Sequence, residues 1–308
     1  MKHSVTMTLF LAFIISGCTD TNAINDNHSD QPIENTKMIE AEVSVQRSDT
    51  QQQQINKVEA RNEQETIYGP PKKEENYNDM TKKEVLTKLL NTVDHFDTAM
   101  GKFELLRNGK KVQVEYQLSL TKMSGGFSKV TIDESSSKDP KVQYIYYKDG
   151  ILWRTDEKKQ SYDMIKYSVN NKSESITPEE AFSVDSEGNN VTTYRERPPI
   201  GLAQVSLFPY ELASNYTRVY GDWEVEKQNE DVLGHNTIVL KGTLNNYASI
   251  KQGAKTFRFW VDKDTGILIK YELYDENSVV VNYMHSIELQ VNVPIDTKEF
   301  EPKTAKLN

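Results

Sequence analysis

Apolar and polar positions alternate with a period of two through much of the chain after residue 80, most clearly in residues 256–274, TFRFWVDKDTGILIKYELY. Phe257, Phe259 and Val261 alternate with Arg258, Trp260 and Asp262. After the turn 262–266, Ile267, Ile269, Tyr271 and Leu273 alternate with Leu268, Lys270, Glu272 and Tyr274. That period places each set on one face of a sheet. Gly266 ends the loop, where a left-handed residue is needed to close such a pair. The stretch therefore predicts a hairpin with one apolar, aromatic face and one mixed face, and the rest of the folded part is arranged around it.

Upstream, Thr81 and Glu84 form a capping-box pattern, and Val85, Leu86, Leu89, Leu90, Val93 and Phe96 follow at helical spacing. Strands are expected at 102–107 and 111–122 around Asn108-Gly109, at 127–133, at 142–148 and 151–155 around Asp149-Gly150, and at 162–169. Residues 170–198 read as a long polar loop with one helical turn after Thr177-Pro178. Residues 200–215, interrupted by Pro209, read as one or two short helices. Strands resume at 223–227, 238–244, the central hairpin, 279–284 and 287–293. The predicted class is α+β, mainly β: a strongly curved antiparallel meander of about ten strands, an open half-barrel whose concave face is covered by helices.

Composition changes this picture at the N-terminus. Of 308 residues, 36% are hydrophobic, which is low for a chain that folds throughout. Residues 19–79 hold thirteen acids and six bases, so most of the net charge of −9 lies before the strands begin. That stretch lacks Trp and Phe and ends near Gly69-Pro70-Pro71, so it reads as a disordered acidic tether. Before it, Lys2 and His3 precede an apolar run over 5–15, too short for a permanent span and placed as a secretory core is placed. Ile15-Ser16-Gly17-Cys18 resembles the lipobox of bacterial lipoproteins. That resemblance implies cleavage between Gly17 and Cys18 and acylation of Cys18, the only cysteine, with stable anchoring from several chains. The expected organisation is a signal peptide at 1–17, a lipidated Cys18 with its tether over 18–79, and a half-barrel domain over 80–308. The expected location is the extracytoplasmic face of the cell membrane. The Lys, Asn and Ile usage favours a Gram-positive source.

The order helix, meander, helix, meander, carried by 257–270 with Asp231-Val232-Leu233-Gly234 before it and Val293-Pro294-Ile295-Asp296 and Phe300 after it, resembles the LolA-like half-barrel superfamily, including proteins of the LolA, LppX and RseB/MucB type. The resemblance spans about 81–302. It implies a domain that holds an acyl chain or a peptide between sheet and helices. No gripping residue of the family maps onto this sequence.

Catalytic chemistry is thin. His95, His235 and His285 form no H-x-x-x-H pair. Ser124-Gly125-Gly126 is a turn and not a nucleophile elbow. Asp262 and Asp264 fit turn chemistry better than a calcium loop, which needs more oxygen donors. No cofactor, metal or catalytic role is expected, and no basic block suggests nucleic acid. The candidate ligand-lining residues are Phe257, Phe259, Val261, Ile267, Ile269, Tyr271, Leu118 and Leu120. Three functions stay open: non-catalytic binding of a lipid, lipoprotein or acyl chain; a protein-interaction or sensor module that meets an envelope partner, of RseB/MucB type; and, behind these, an enzyme whose site residues the sequence does not reveal.

Overall fold

β1 (Thr98–Arg107) and β11 (Val280–Val291) form the seam on which two meanders meet. The structure, a computed structural model, describes residues 76–121, 124–132, 139–156, 161–169 and 174–302, all within the unit 67–308. Cys18, Gly17, the signal segment and residues 18–75 of the expected tether lie outside the described residues, whereas its last residues, 76–79, are held by hydrogen bonds such as Lys263 Nζ to the Asn78 carbonyl, so the domain begins a few residues earlier than expected.

In chain order, α1 (Lys82–Leu90) precedes β1, then β2 (Lys110–Ser119), β3 (Gly125–Ile132), β4 (Lys141–Lys148), β5 (Ile151–Asp156) and β6 (Ser161–Lys166). The crossover that follows carries α2 (Pro178–Ala181), α3 (Gln204–Leu207) and α4 (Tyr210–Tyr216). The second meander is β7 (Trp223–Val232), β8 (His235–Thr243), α5 (Asn246–Gln252), β9 (Thr256–Asp262), β10 (Leu268–Tyr274) and β11. The strands make one eleven-stranded antiparallel sheet, ordered β6-β5-β4-β3-β2-β1-β11-β10-β9-β8-β7. β6 and β7 are its two ends, so the sheet is open, a half-barrel with helices packed on one face.

Local chemistry explains most of these elements. Thr81 and Glu84 close a reciprocal capping box on α1, and Thr177 and Glu180 do the same for α2. Asn108-Gly109 and Asp149-Gly150 take positive φ at both positions, as two-residue hairpins require. Asp262 Oδ1 accepts from the amides of Asp264 and Thr265 at 3.0 and 2.7 Å, the turn role expected of it. Gly266 has φ +79, and an added Cβ would sit 2.6 Å from the Lys88 carbonyl oxygen, so this glycine lets the hairpin tip meet α1.

The structure corrects four details. The expected helical stripe to Phe96 ends at Leu90 and continues as a 3-10 turn, Thr92–Asp94, because Asn91 turns its side chain back onto the Thr87 carbonyl. The strands expected at 279–284 and 287–293 are one strand, β11, with Ile287 bulged opposite the Lys102/Phe103 step. The alternation over 267–273 fails because the register shifts between Leu268 and Lys270. Leu268 thus pairs with Val261, and Ile267, Leu268 and Ile269 are all fully buried. α5 was not anticipated, although Asn245 caps it and Gly253 ends it in the left-handed conformation.

Candidate functional site

The face of the sheet beneath the helices is the expected binding face. β1 and β2 supply Phe103, Leu105, Val114, Tyr116 and Leu118, while β9 and β10 supply Phe257, Phe259, Val261, Tyr271 and Leu273. The cap opposite is built from α1 and the crossover. Arg195, only 6% exposed, ties the crossover to the end of α1: its guanidinium donates to Asn91 Oδ1 at 2.9 Å and to Asp94 Oδ1 at 2.7 Å. Asn91 in turn exchanges hydrogen bonds with the Ile176 backbone. Ser206 Oγ donates to the Leu268 carbonyl at 2.9 Å, fixing α3 on β10.

The cap fills the sheet face with side chains. The Tyr216 ring lies 5.6 Å from Phe257 and 5.7 Å from Phe259, and Phe257 and Phe259 are 4.6 Å apart. Ile200, Leu207 and Tyr210 have no exposed surface. Seven of the eight candidate lining residues, Phe257, Phe259, Val261, Ile267, Ile269, Tyr271 and Leu118, are buried in this single core, and Leu120 is half-buried at its margin. The structure brings them together as packing partners of the cap. Of these, only Phe257 reaches the wall of an open surface cleft of about 680 Å³, which Lys82, Trp223, Lys241 and Arg258 also border.

Two buried oxygens stand out in the apolar interior. Tyr116 Oη and Ser128 Oγ have no hydrogen-bond partner among the described residues, although their residues pair across β2 and β3. Ser206 of α3 lies beside Tyr116, and burial pushes the Tyr116 phenol far above its ordinary range.

On the opposite face the charges pair. Trp260 lies under Lys270 at 4.2 Å and near Arg258 at 5.8 Å, both cations over its ring. Glu272 accepts from Lys270 and His285 Nε2 at 2.9 Å each and from the Tyr274 hydroxyl. Burial alone would raise the Glu272 carboxyl, but the Tyr274 and Lys270 bonds outweigh it and hold it below the usual range. Burial, followed by the charge of Lys270, lowers the His285 imidazole, and burial followed by Lys88 lowers His95. His235 sets Nδ1 against Asp262 Oδ2 at 2.9 Å and Nε2 against the Leu289 carbonyl at 3.2 Å, so both nitrogens join structural elements. Among the described residues, no three His, Cys, Asp or Glu side chains converge as metal ligands.

These shifts set the response to acid. The unfolded chain protonates histidine near its ordinary pKa, before folded His95 and His285 do, so stability is expected to fall as pH drops through the ordinary histidine range. Glu104, Glu230 and Glu272 are held low in the fold, so they add a second loss below about pH 4.5. Melting curves across pH test this: His95→Gln with His285→Gln should flatten the first step and leave the part of the second that Glu230, which His285 does not touch, contributes.

A row of side chains on the outer face was only partly visible in the sequence. Gln117, Phe127, Tyr146, Trp153 and Met164 lie directly opposite one another across β2 to β6. Phe127 stacks on Tyr146 at 5.9 Å, and Tyr144 stacks on Tyr146 at 6.0 Å. The aromatic character of 144–147 was legible, but the alignment across strands needed the register.

Residues 256–304, which run from β9 to beyond a 3-10 turn at Thr297–Phe300, match the family model described as the MucB/RseB N-terminal domain. No curated protein sequence matches the chain. Among solved structures, MucB in the Pseudomonas aeruginosa MucA/MucB complex is 14% identical, with 72% of this chain and 61% of that chain covered and a TM-score of 0.39. This chain thus spans less than two thirds of that MucB chain. LprF from Mycobacterium bovis is 6% identical over 71% of this chain and 97% of its own, with a TM-score of 0.36. A LolA superfamily protein from Nitrosomonas europaea is 13% identical over 70% and 97%, with a TM-score of 0.22. The β9–β10 hairpin that organises the sheet therefore lies within the segment that matches the MucB/RseB model.

Proposed function

We propose that this protein is a non-catalytic interaction module on the extracytoplasmic side of the cell membrane, held there by acylated Cys18 and a tether over 18–75, and that its partner is another envelope protein. The observation that carries the reading is the filled sheet face: Tyr210, Tyr216, Leu207 and Ile200 occupy the space an acyl chain would need. A packed interior leaves the outer surface and the sheet edge for recognition. The match of 256–304 to the MucB/RseB model supports an envelope setting. MucB itself has been solved in complex with MucA. The composition that favours a Gram-positive source would put the anchor in the outer leaflet of a single membrane.

Native mass spectrometry of the detergent-solubilised chain tests the reading. A mass equal to the acylated polypeptide supports it, and a stoichiometric copurifying lipid beyond the Cys18 modification overturns it. The anchor has its own test: Cys18→Ser is expected to move the protein from the membrane to the soluble fraction with an unchanged melting temperature. A variant that stays with the membrane after cleavage ends the lipobox assignment.

A second reading, lipid binding, draws on the unpartnered Tyr116 Oη and Ser128 Oγ. Buried hydroxyls ordinarily find partners. If α3 and α4 lift, these two oxygens would meet a polar headgroup while Phe257, Phe259, Val261, Ile267, Ile269, Tyr271, Leu118 and Leu120 line the acyl chain.

A further inference from the structure

The two ends of the sheet are built differently. β7 is interrupted by register shifts at 225–227 and 227–230, and it carries Glu224, Glu226, Glu230 and Asp231. Residues 76–80 run along it as a strap: Met80 and Gln228 exchange two hydrogen bonds at 2.9 and 3.0 Å, and Lys263 Nζ holds the Asn78 carbonyl at 2.6 Å. Bulges, charges and a covering segment are the usual means of blocking an edge.

β6 carries Asp163 and Lys166, but among the described residues it has neither a bulge nor a covering segment. It pairs in unbroken register with β5, and among the described residues no strand lies beyond it. The Tyr167 amide donates inward to the Gly150 carbonyl. By the two-residue alternation of an antiparallel strand, the backbone N–H and C=O of Met164 and Lys166 then face the open side. Apolar surface reaches this edge on both faces. Met164, 65% exposed, ends the outer row Phe127–Tyr146–Trp153, and Ile165, 41% exposed, ends the inner row Tyr147–Leu152.

Charge completes the description. On β5 and β6 the described charged side chains are Arg154, Asp163 and Lys166, while Lys148 of β4 is held by Glu301 at 2.5 Å. Arg154 lies opposite Asp163, which leaves Lys166 as the cation at the rim.

We propose that β6 accepts an extended segment of a partner protein as a twelfth strand, and that this segment presents an acidic residue opposite Lys166, an apolar residue opposite Ile165 and an apolar residue opposite Met164. Main-chain pairing supplies affinity, and the alternate side chains supply selection. This rests on the interaction reading above and gives it a site.

The test uses the detergent-solubilised full chain and three synthetic ten-residue peptides with blocked ends. One repeats Glu-Val-Val, one repeats Lys-Val-Val, and one is the first with a proline in each repeat. The Glu peptide is expected to bind about threefold to fivefold tighter than the Lys peptide, the scale of one exposed cross-strand charge pair. Lys166→Glu is expected to reverse that order without changing the melting temperature. Hydrogen exchange resolved to single residues should show new protection at the Met164 and Lys166 amides and none at Ile165. Equal binding of the proline peptide, or no binding of any peptide, overturns the proposal. Protection confined to the helices or β7 also overturns the edge assignment and leaves the interaction reading standing. A free chain of twice the expected mass that Met164→Lys dissociates would assign the edge to a second copy instead.

Discussion

Asp262→Ala is expected to destabilise the domain by about 2–4 kcal/mol, the cost of leaving several buried hydrogen-bond donors without their charged acceptor. Asp262 is 3% exposed, and both of its carboxylate oxygens are engaged. Oδ1 takes the Asp264 amide, the Thr265 amide and the Thr265 hydroxyl at 2.7 to 3.0 Å, while Oδ2 takes His235 Nδ1 at 2.9 Å. Alanine leaves the two turn amides unpaired and His235 facing a void. His235 also reaches Leu289 on β11, so the loss spreads from the central hairpin to the seam strand. A melting-temperature drop on the order of 10 °C should follow for a domain of this size. Asp262→Asn keeps an oxygen for the turn but sets an N–H against the ring, so it should cost roughly half as much, about 1–2 kcal/mol. A double-mutant cycle with His235→Ala separates the turn from the His235 hydrogen bond. Coupling near zero would show that the turn amides alone matter. An alanine variant melting with the parent would remove the hairpin from the centre of the stability argument.

This residue also shows what the sequence could and could not reveal. Asp262 as turn chemistry was legible because Asp-x-x-Thr-Gly has local consequences: the carboxylate, the two amides and the glycine lie within five residues. The pairing with His235 was not legible, because 27 residues separate the two and the shared register of β8 and β9 brings them together. The same division runs through the fold. Caps, two-residue hairpins and strand faces rest on near neighbours and were readable. The bulge at Ile269 was not, since three successive apolar residues at 267–269 satisfy both an alternating strand and a buried kink. α5 was missed for the opposite reason. Its signals, Asn245 and Gly253, were present, but its buried contribution is small and its apolar Ile250 is 86% exposed, so no helical stripe marked it. For the candidate site, the sequence identified the inward-facing residues and not what covers them. Tyr210 and Tyr216 sit in a stretch broken by Pro209, where periodicity says nothing about which strand a helix will meet.

Whether that cover is fixed core or a movable layer decides between the two functions, and Leu207 reports on it. Leu207 has no exposed surface and lies in α3, which Ser206 pins to β10. If α3 and α4 are permanent core, Leu207→Ala should cost about 2–5 kcal/mol, because the surrounding side chains cannot close the space left behind. The amides of α4 should then exchange only as slowly as those of β9 and β10, through global unfolding. The interaction reading expects both results. A layer that opens by itself behaves otherwise: the substitution would cost under about 1 kcal/mol, and α4 would exchange by a local route far faster than the strands. That second pattern would expose Tyr116 and Ser128 to a ligand and move the weight to lipid binding. Hydrogen exchange and denaturant melts on the same two proteins give both numbers. A full stability loss with slow α4 exchange leaves recognition to the outer face and the open strand, where β6 is.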